Sequence, residues 1–501
     1  MRKARWGASA WGLAAGLAIA LSSCARNPVT GKREIALVSE SQEIQMGQQY
    51  AQQIVKSMGV YDDKKVQDYV TRLGMAMAAK SERPQLPWAF YVMDDPTVNA
   101  FALPGGSIFV TRGILTHMND EAELVGVLGH EIGHVTARHS VQQMTRQQIA
   151  QIGLGVGSIL SSDVAQYAGL ASQGLGVLFL KYGRDAESQS DLLGFKYMVR
   201  DGYDPHAMAS MFTTLQRVSR LEGGGDIPEW ESTHPDPGNR IAATEQRIDT
   251  LSVPTSKLRY AREEYLPILA GMTYGEDPRQ GYIEGNTFYH PGLRFQLALP
   301  SGWQAQNTPE ALAAVSPEQD ALFQLTAPGR GTPDEAAKQF FGQEGVKSAD
   351  ASSAPVNGNP AVSSLFEAQT EQGAVQGVVA FVKYGDLTYR LLGYTAAGKL
   401  QAYEKTFRSS IASFAELKDK ARLEVTPFQV ELVKVDRDMT VAEFNTQHPS
   451  TIPAERVAVV NGFDTPADRI SAGTTLKRII GGRGAAVAQK KKAPADTTVG
   501  K

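Results

Sequence analysis

The pentapeptide His130-Glu131-Ile132-Gly133-His134 constrains this chain more than any other part of it. On a helix, positions i and i+4 lie on one face, a turn apart. Two imidazoles so placed can grip one Zn²⁺ at about 2.0–2.1 Å. Glu131 is rotated off the ligand line, which leaves its carboxylate free to hold a water beside the metal. The flanks agree: Val127, Leu128, Ile132 and Val135 are apolar, and between Glu123 and Arg138 the only charge is Glu131. The competing reading is a surface helix with two spare histidines, which the apolar flanks disfavour.

A catalytic zinc needs a third protein ligand and an open fourth position. The candidate is Glu187, in Arg184-Asp185-Ala186-Glu187-Ser188-Gln189-Ser190-Asp191, a polar run that opens a second helix through Leu192, Leu193, Phe195 and Tyr197. Glu187 and Asp191 are again i and i+4. Glu187 can bind the metal while Asp191 accepts a hydrogen bond from a ligating imidazole. Alternatively the acidic run merely complements the helix dipole. His234 and Arg240, expected in a Pro-rich loop, are candidates to hold the oxyanion, and His234 is also a candidate fourth ligand that keeps the site closed. His139 is expected to pack or cap, on a helix that starts at Asn119 or Asp120 and runs past it.

These residues resemble the gluzincin arrangement and, more narrowly, the HtpX and CAAX-prenyl-protease family of zinc metallopeptidases. Further matching pieces are Asn27-Pro28-Val29-Thr30-Gly31, Asn99 to Gly106, Arg138-His139-Ser140, Thr233-His234-Pro235 and Arg240-Ile241. The resemblance covers roughly residues 27–275 and implies one Zn²⁺ per chain, with His130, His134 and Glu187 as ligands and Glu131 as the catalytic acid/base. With no transmembrane helix expected, the chain looks more like the periplasmic members. The helical repeats carried by one such member are not visible, so its partners do not carry over.

At 501 residues, several domains are expected. With 42% hydrophobic and 21% charged residues and a net charge of −3, the composition gives no sign of a nucleic-acid partner. Cys24 is the single cysteine, which excludes internal disulfides and cysteine-rich metal sites. Basic Arg2, Lys3 and Arg5, then an apolar stretch from Trp11 to Leu21, read as a signal peptide over 1–23. Leu21-Ser22-Ser23-Cys24 resembles a bacterial lipobox, which implies acylation of Cys24, membrane anchoring and a place on the periplasmic face of the outer membrane.

The fold class expected is α+β. A mainly helical zincin-type metallopeptidase domain with a small sheet covers 24–285, and an α+β domain of unreadable role covers 286–416. A small unit over 423–480 is similar to a LysM module, the βααβ glycan binder. That resemblance rests on Asp438-Met439-Thr440-Val441, Val459-Val460-Asn461-Gly462 and Ile470 to Lys477, and implies peptidoglycan as a partner. A disordered tail covers 481–501. Gln151 to Leu180 reads as an apolar helical hairpin. Asn99, Ala100 and Phe101 are candidates for an edge strand to which an extended substrate adds. The function expected is endopeptidase action on misfolded or misassembled envelope proteins by Glu-assisted attack of water. The alternatives are a non-enzymatic envelope chaperone or scaffold and a peptidoglycan-associated binding protein.

Overall fold

The computed structural model describes residues 24–154, 182–221, 234, 237–309, 311–370 and 373–482. The signal segment, the expected hairpin from residue 155 onward and nearly all of the tail lie outside the described residues. By packing, the chain divides into two compact units: residues up to Gly275 with Gln429–Ile480, and Glu276–Phe428. The small C-terminal stretch therefore belongs to the same unit as the metal-binding motif.

The first unit opens on a short antiparallel pair, β1 (Cys24–Arg26) and β2 (Arg33–Ile35). Helix α1 (Glu40–Met58) follows, started by a capping box in which Ser39 and Gln42 satisfy each other's backbone N–H groups. Helix α2 (Lys64–Ala78) is capped by the Asp63 carboxylate and buries Val66, Tyr69, Val70 and Leu73, the face its apolar spacing predicts. Next comes a three-stranded sheet. Strand β5 (Ser107–Thr111) is central, with β3 (Ala89–Met93) parallel on one side and β4 (Ala100–Ala102) antiparallel on the other.

Helix α3 (Arg112–His117) leads into α4 (Glu121–Thr136), which carries the motif and is buried along its whole length. Asp120 caps α4 by accepting from the Glu123 N–H. The expectation that this helix runs past His139 is corrected. It stops at Thr136, Arg138 takes a left-handed φ of 59°, and α5 (His139–Leu154) starts afresh. The Arg138 guanidinium holds this turn by donating to Glu43 and to the Val38 carbonyl.

Helix α6 (Arg184–Arg200) packs directly on α4. Glycines permit the closeness: a Cβ on Gly133 would sit 3.1 Å from the Ser190 Cα, and one on Gly129 would sit 3.1 Å from the Gly194 Cα. Helices α7 (His206–Leu221) and α8 (Pro237–Asp249) complete the surround. In the same unit, strands Phe428–Lys434 and Thr475–Gly481 join Thr273–Tyr274 in a three-stranded sheet. The buried Lys477 ammonium donates to the carbonyls of Thr116 and Met118, just before α4 begins.

The second unit is built on a seven-stranded antiparallel sheet between Gln304 and Ala396, with a four-stranded sheet alongside it. One face of the large sheet buries Phe323, Leu325, Val378 and Leu391 with Phe407 and Ile411 from the helix Leu400–Ala412. The other carries Phe366, Val379 and Phe381 under the helix Pro333–Phe341. The class is α+β throughout. Among the described residues no helix is long and apolar enough to cross a membrane.

Candidate metal centre

His130, His134, Glu187 and His234 each offer a ligand atom within 4.8 Å of the others, and all four are buried. The Nε2 atoms of His130 and His134 lie 2.9 Å apart. Glu187 Oε1 is 3.4 Å from His134 Nε2, and Glu187 Oε2 is 3.5 Å from His130 Nε2. His234 Nδ1 lies 3.2 Å from His130 Nε2 and 3.1 Å from Glu187 Oε1. Three imidazoles and a carboxylate converging on one point are a donor set that fits zinc. The i, i+4 pair sits on the inner face of α4, and the close approach of α6 brings Glu187 to it.

Three of the four candidate donors, His130, His134 and Glu187, have polar neighbours beyond the donor group. His130 Nδ1 lies 2.9 Å from Asp191 Oδ1. Arg240 donates to both Asp191 oxygens, at 2.9 and 2.7 Å, and its Nη1 is 3.2 Å from Glu187. Its guanidinium stacks 4.2 Å from the centre of the Phe212 ring. The structure places Arg240 on helix α8, not in a loop, and engages it with Asp191, behind His130, and with the donor Glu187. An oxyanion donor would have to leave that fork. His134 Nδ1 lies 3.0 Å from His139 Nδ1, and His139 Nε2 lies 2.9 Å from Gln189 Oε1. The Tyr182 ring stacks on His134 with centroids 4.1 Å apart, its hydroxyl 2.7 Å from Ser140 Oγ. Sequence reasoning missed Gln189 and Tyr182, and gave His139 only a packing or capping role.

Glu131 is fully buried, and neither carboxylate oxygen has a hydrogen-bond partner among the described residues. His234 Nε2 lies 3.6 Å from its Oε1. An acid so placed wants a guest, such as a water or a scissile amide, in the space beside it. Burial pushes its carboxyl above the usual range, although His234 and His130 pull the other way. Burial would also raise Glu187 and Asp191. The charges of His234 and His130 hold Glu187 well below the usual range, and Arg240 with His130 holds Asp191 low. Neighbouring charges thus hold Glu187 and Asp191 low, while burial lifts Glu131.

Strand β4 is the edge of its sheet. The Thr111 N–H donates to the Asn99 carbonyl and the Leu103 N–H to the Ser107 carbonyl. By alternation, Ala100 and Ala102 turn their main-chain groups away from β5, and all three β4 residues are buried. The Asn99 side chain is buried, and its Oδ1 has no partner among the described residues. The Phe101 ring stacks on Phe109.

The profile of peptidase family M48 matches residues 64–248, which include all four donors. The β-barrel assembly-enhancing protease of Yersinia pestis is 30% identical over 233 residues, 45% of this chain and 47% of that protein. A putative protein of the same name from Vibrio cholerae is 31% identical over 218 residues, covering 41% and 44%. The mitochondrial metalloendopeptidase OMA1 of Schizosaccharomyces pombe is 32% identical over 236 residues, 45% of this chain and 67% of that protein. The chain spans just under half the length of the bacterial relatives. On the profile match and the share of the fission-yeast relative covered, the chain belongs to peptidase family M48.

Proposed function

We propose that this protein is a zinc-dependent endopeptidase acting on misfolded or misassembled proteins of the cell envelope. The observation that carries the catalytic part is the buried Glu131 carboxylate, with no hydrogen-bond partner among the described residues, beside a converging four-donor group. His130, His134 and Glu187 hold the metal in this reading. Bound there, zinc supplies a Lewis acid that polarises the scissile carbonyl and makes nearby water a better nucleophile. Glu131 takes a proton from the attacking water and delivers it to the leaving amine. Asp191 orients His130, and Arg240 keeps Asp191 and Glu187 in place.

His234 is the fourth donor of a resting, closed site. It must swing aside before a substrate carbonyl can take its place, and from there it can donate to the oxyanion. Arg240 is assigned the positioning role in preference to oxyanion binding. An extended substrate adds to the β4 edge through Ala100 and Ala102, with Asn99 and Phe101 flanking it. This mode reads main chain and therefore selects unfolded segments.

The envelope setting rests on the lipobox at Cys24 and on the similarity to proteins named for β-barrel assembly. Acylated Cys24 would tether the enzyme to the periplasmic face of the outer membrane. The stretch 423–480 is proposed as a LysM-like module offering a contact to peptidoglycan, and 286–416 as a separate α+β domain.

The test of the catalytic reading is cleavage of an unfolded protein such as casein, with Glu131→Gln as the control. Zinc-dependent cleavage that the variant abolishes supports it. Undiminished cleavage by the variant contradicts it. His234→Ala should retain zinc better than His130→Ala. If the two variants lose zinc equally, His234 is not a removable fourth donor.

A further inference from the structure

Among the described residues, no carboxylate backs His134 as Asp191 backs His130. Its outward nitrogen, Nδ1, instead lies 3.0 Å from Nδ1 of another imidazole, His139, whose Nε2 lies 2.9 Å from Gln189 Oε1. His139 is only 3% exposed. On an unbroken helix its side chain would point about 140° away from His134, five residues earlier. The left-handed turn at Arg138 breaks the helix and brings the ring back.

The tautomers follow from the contacts. If His134 gives Nε2 to a metal, its Nδ1 carries the proton and must donate. His139 Nδ1 must then accept, so the His139 proton sits on Nε2, where Gln189 presents an acceptor. Ser190 Oγ, 3.3 Å from His139 Nδ1, is a second neighbour and can donate to the same lone pair. The opposite assignment would put the His134 proton on Nε2 and block the ligand atom. Gln189 lies between Glu187 and Asp191 on α6, so a single helix provides a ligand and the support for both histidines.

We propose that His139 is a positioning residue for the metal centre, orienting His134 through an imidazole–imidazole hydrogen bond whose direction Gln189 fixes. A neutral relay here has an electrostatic reason. Glu131, Glu187 and Asp191 place three buried acids around the site, a charge that Arg240 and a bound Zn²⁺ together would already balance. A fourth carboxylate would add uncompensated buried charge. The relay orients the ring without it. The inference rests on His134 being a metal ligand.

The experiment is zinc affinity of the full chain by chelator competition, read independently of cleavage, in wild type, His139→Asn, His139→Gln, Gln189→Leu and His130→Ala. An Asn side chain sets its oxygen near the imidazole Nδ1 position and can still accept from His134. A Gln side chain reaches towards the Nε2 position and cannot. His139→Asn is expected to stay within about threefold of wild type. His139→Gln should weaken zinc about 10–100-fold, the usual effect of losing a ligand's hydrogen-bond partner. Gln189→Leu should weaken it about tenfold. Equal affinities for the Asn and Gln variants, whether high or low, would overturn the relay. Should a His139 variant fail to fold, Gln189→Leu, which leaves His139 in place, carries the test: zinc affinity equal to wild type would overturn the relay. If His130→Ala also binds zinc like wild type, the metal-site reading itself fails, an outcome distinct from failure of the relay.

Discussion

At the scale of the residue, the proposed function divides the site into groups that would hold a metal and one, Glu131, that would react. Glu131→Gln keeps the size and burial of the side chain and removes the base. It should lower kcat by about 10²–10⁴-fold while zinc stoichiometry stays at wild type, checked by steady-state cleavage and metal analysis on the same sample. Asp191→Asn should weaken zinc binding by about 10–100-fold, because His130 loses a charged acceptor and Arg240 loses a partner. The motif was legible because its chemistry is local: His130, Glu131 and His134 share one helix, and helical geometry alone puts the imidazoles together. Glu187 and Asp191 were legible as a second i, i+4 pair. The true partners of Arg240 were not, since they depend on how α8 lies against α6. The contact of His139 was hidden by a left-handed residue that is not glycine, which carries little sequence signal.

At the scale of the element, the decisive feature is the close contact of α4 and α6. A methyl group on Gly133 would meet the Ser190 backbone at 3.1 Å, with no flexible side chain there to give way. Gly133→Ala should therefore cost about 1–3 kcal/mol by overpacking. It should also weaken zinc binding, because α6 carries Glu187. A thermal melt of the metal-free protein beside a chelator titration separates the two effects. Asp120→Ala removes the cap of α4 and should cost about 1 kcal/mol, with zinc affinity nearly unchanged, since the motif begins ten residues further on. The start of α4 was legible to within a residue, Asn119 or Asp120, because a capping side chain acts on a neighbour within three positions. The strand order β3-β5-β4, with one parallel and one antiparallel pairing, was not, because Ala89–Met93 gives the same alternation for either direction.

At the scale of the molecule, the C-terminal stretch is part of the unit that holds the metal centre. Lys477 is fully buried, and its ammonium caps two carbonyls at the threshold of α4. Lys477→Met would leave both without that donor and should destabilise the first unit by about 1–3 kcal/mol, read as a lowered midpoint in thermal or urea unfolding. Nothing in the sequence marked Lys477 as buried, since lysine is almost always exposed and its acceptors lie some 360 positions away along the chain. The four donors converge only in the folded chain, so metal removal should also lower the melting temperature, by an amount that grows with free zinc in the reference sample. The most direct measurement is zinc content and casein cleavage of the purified chain, with Glu131→Gln and a chelator as controls. One zinc per chain, with cleavage abolished by both controls, is the predicted result. A chain that binds no zinc, or that cleaves equally well as Glu131→Gln, would contradict the account.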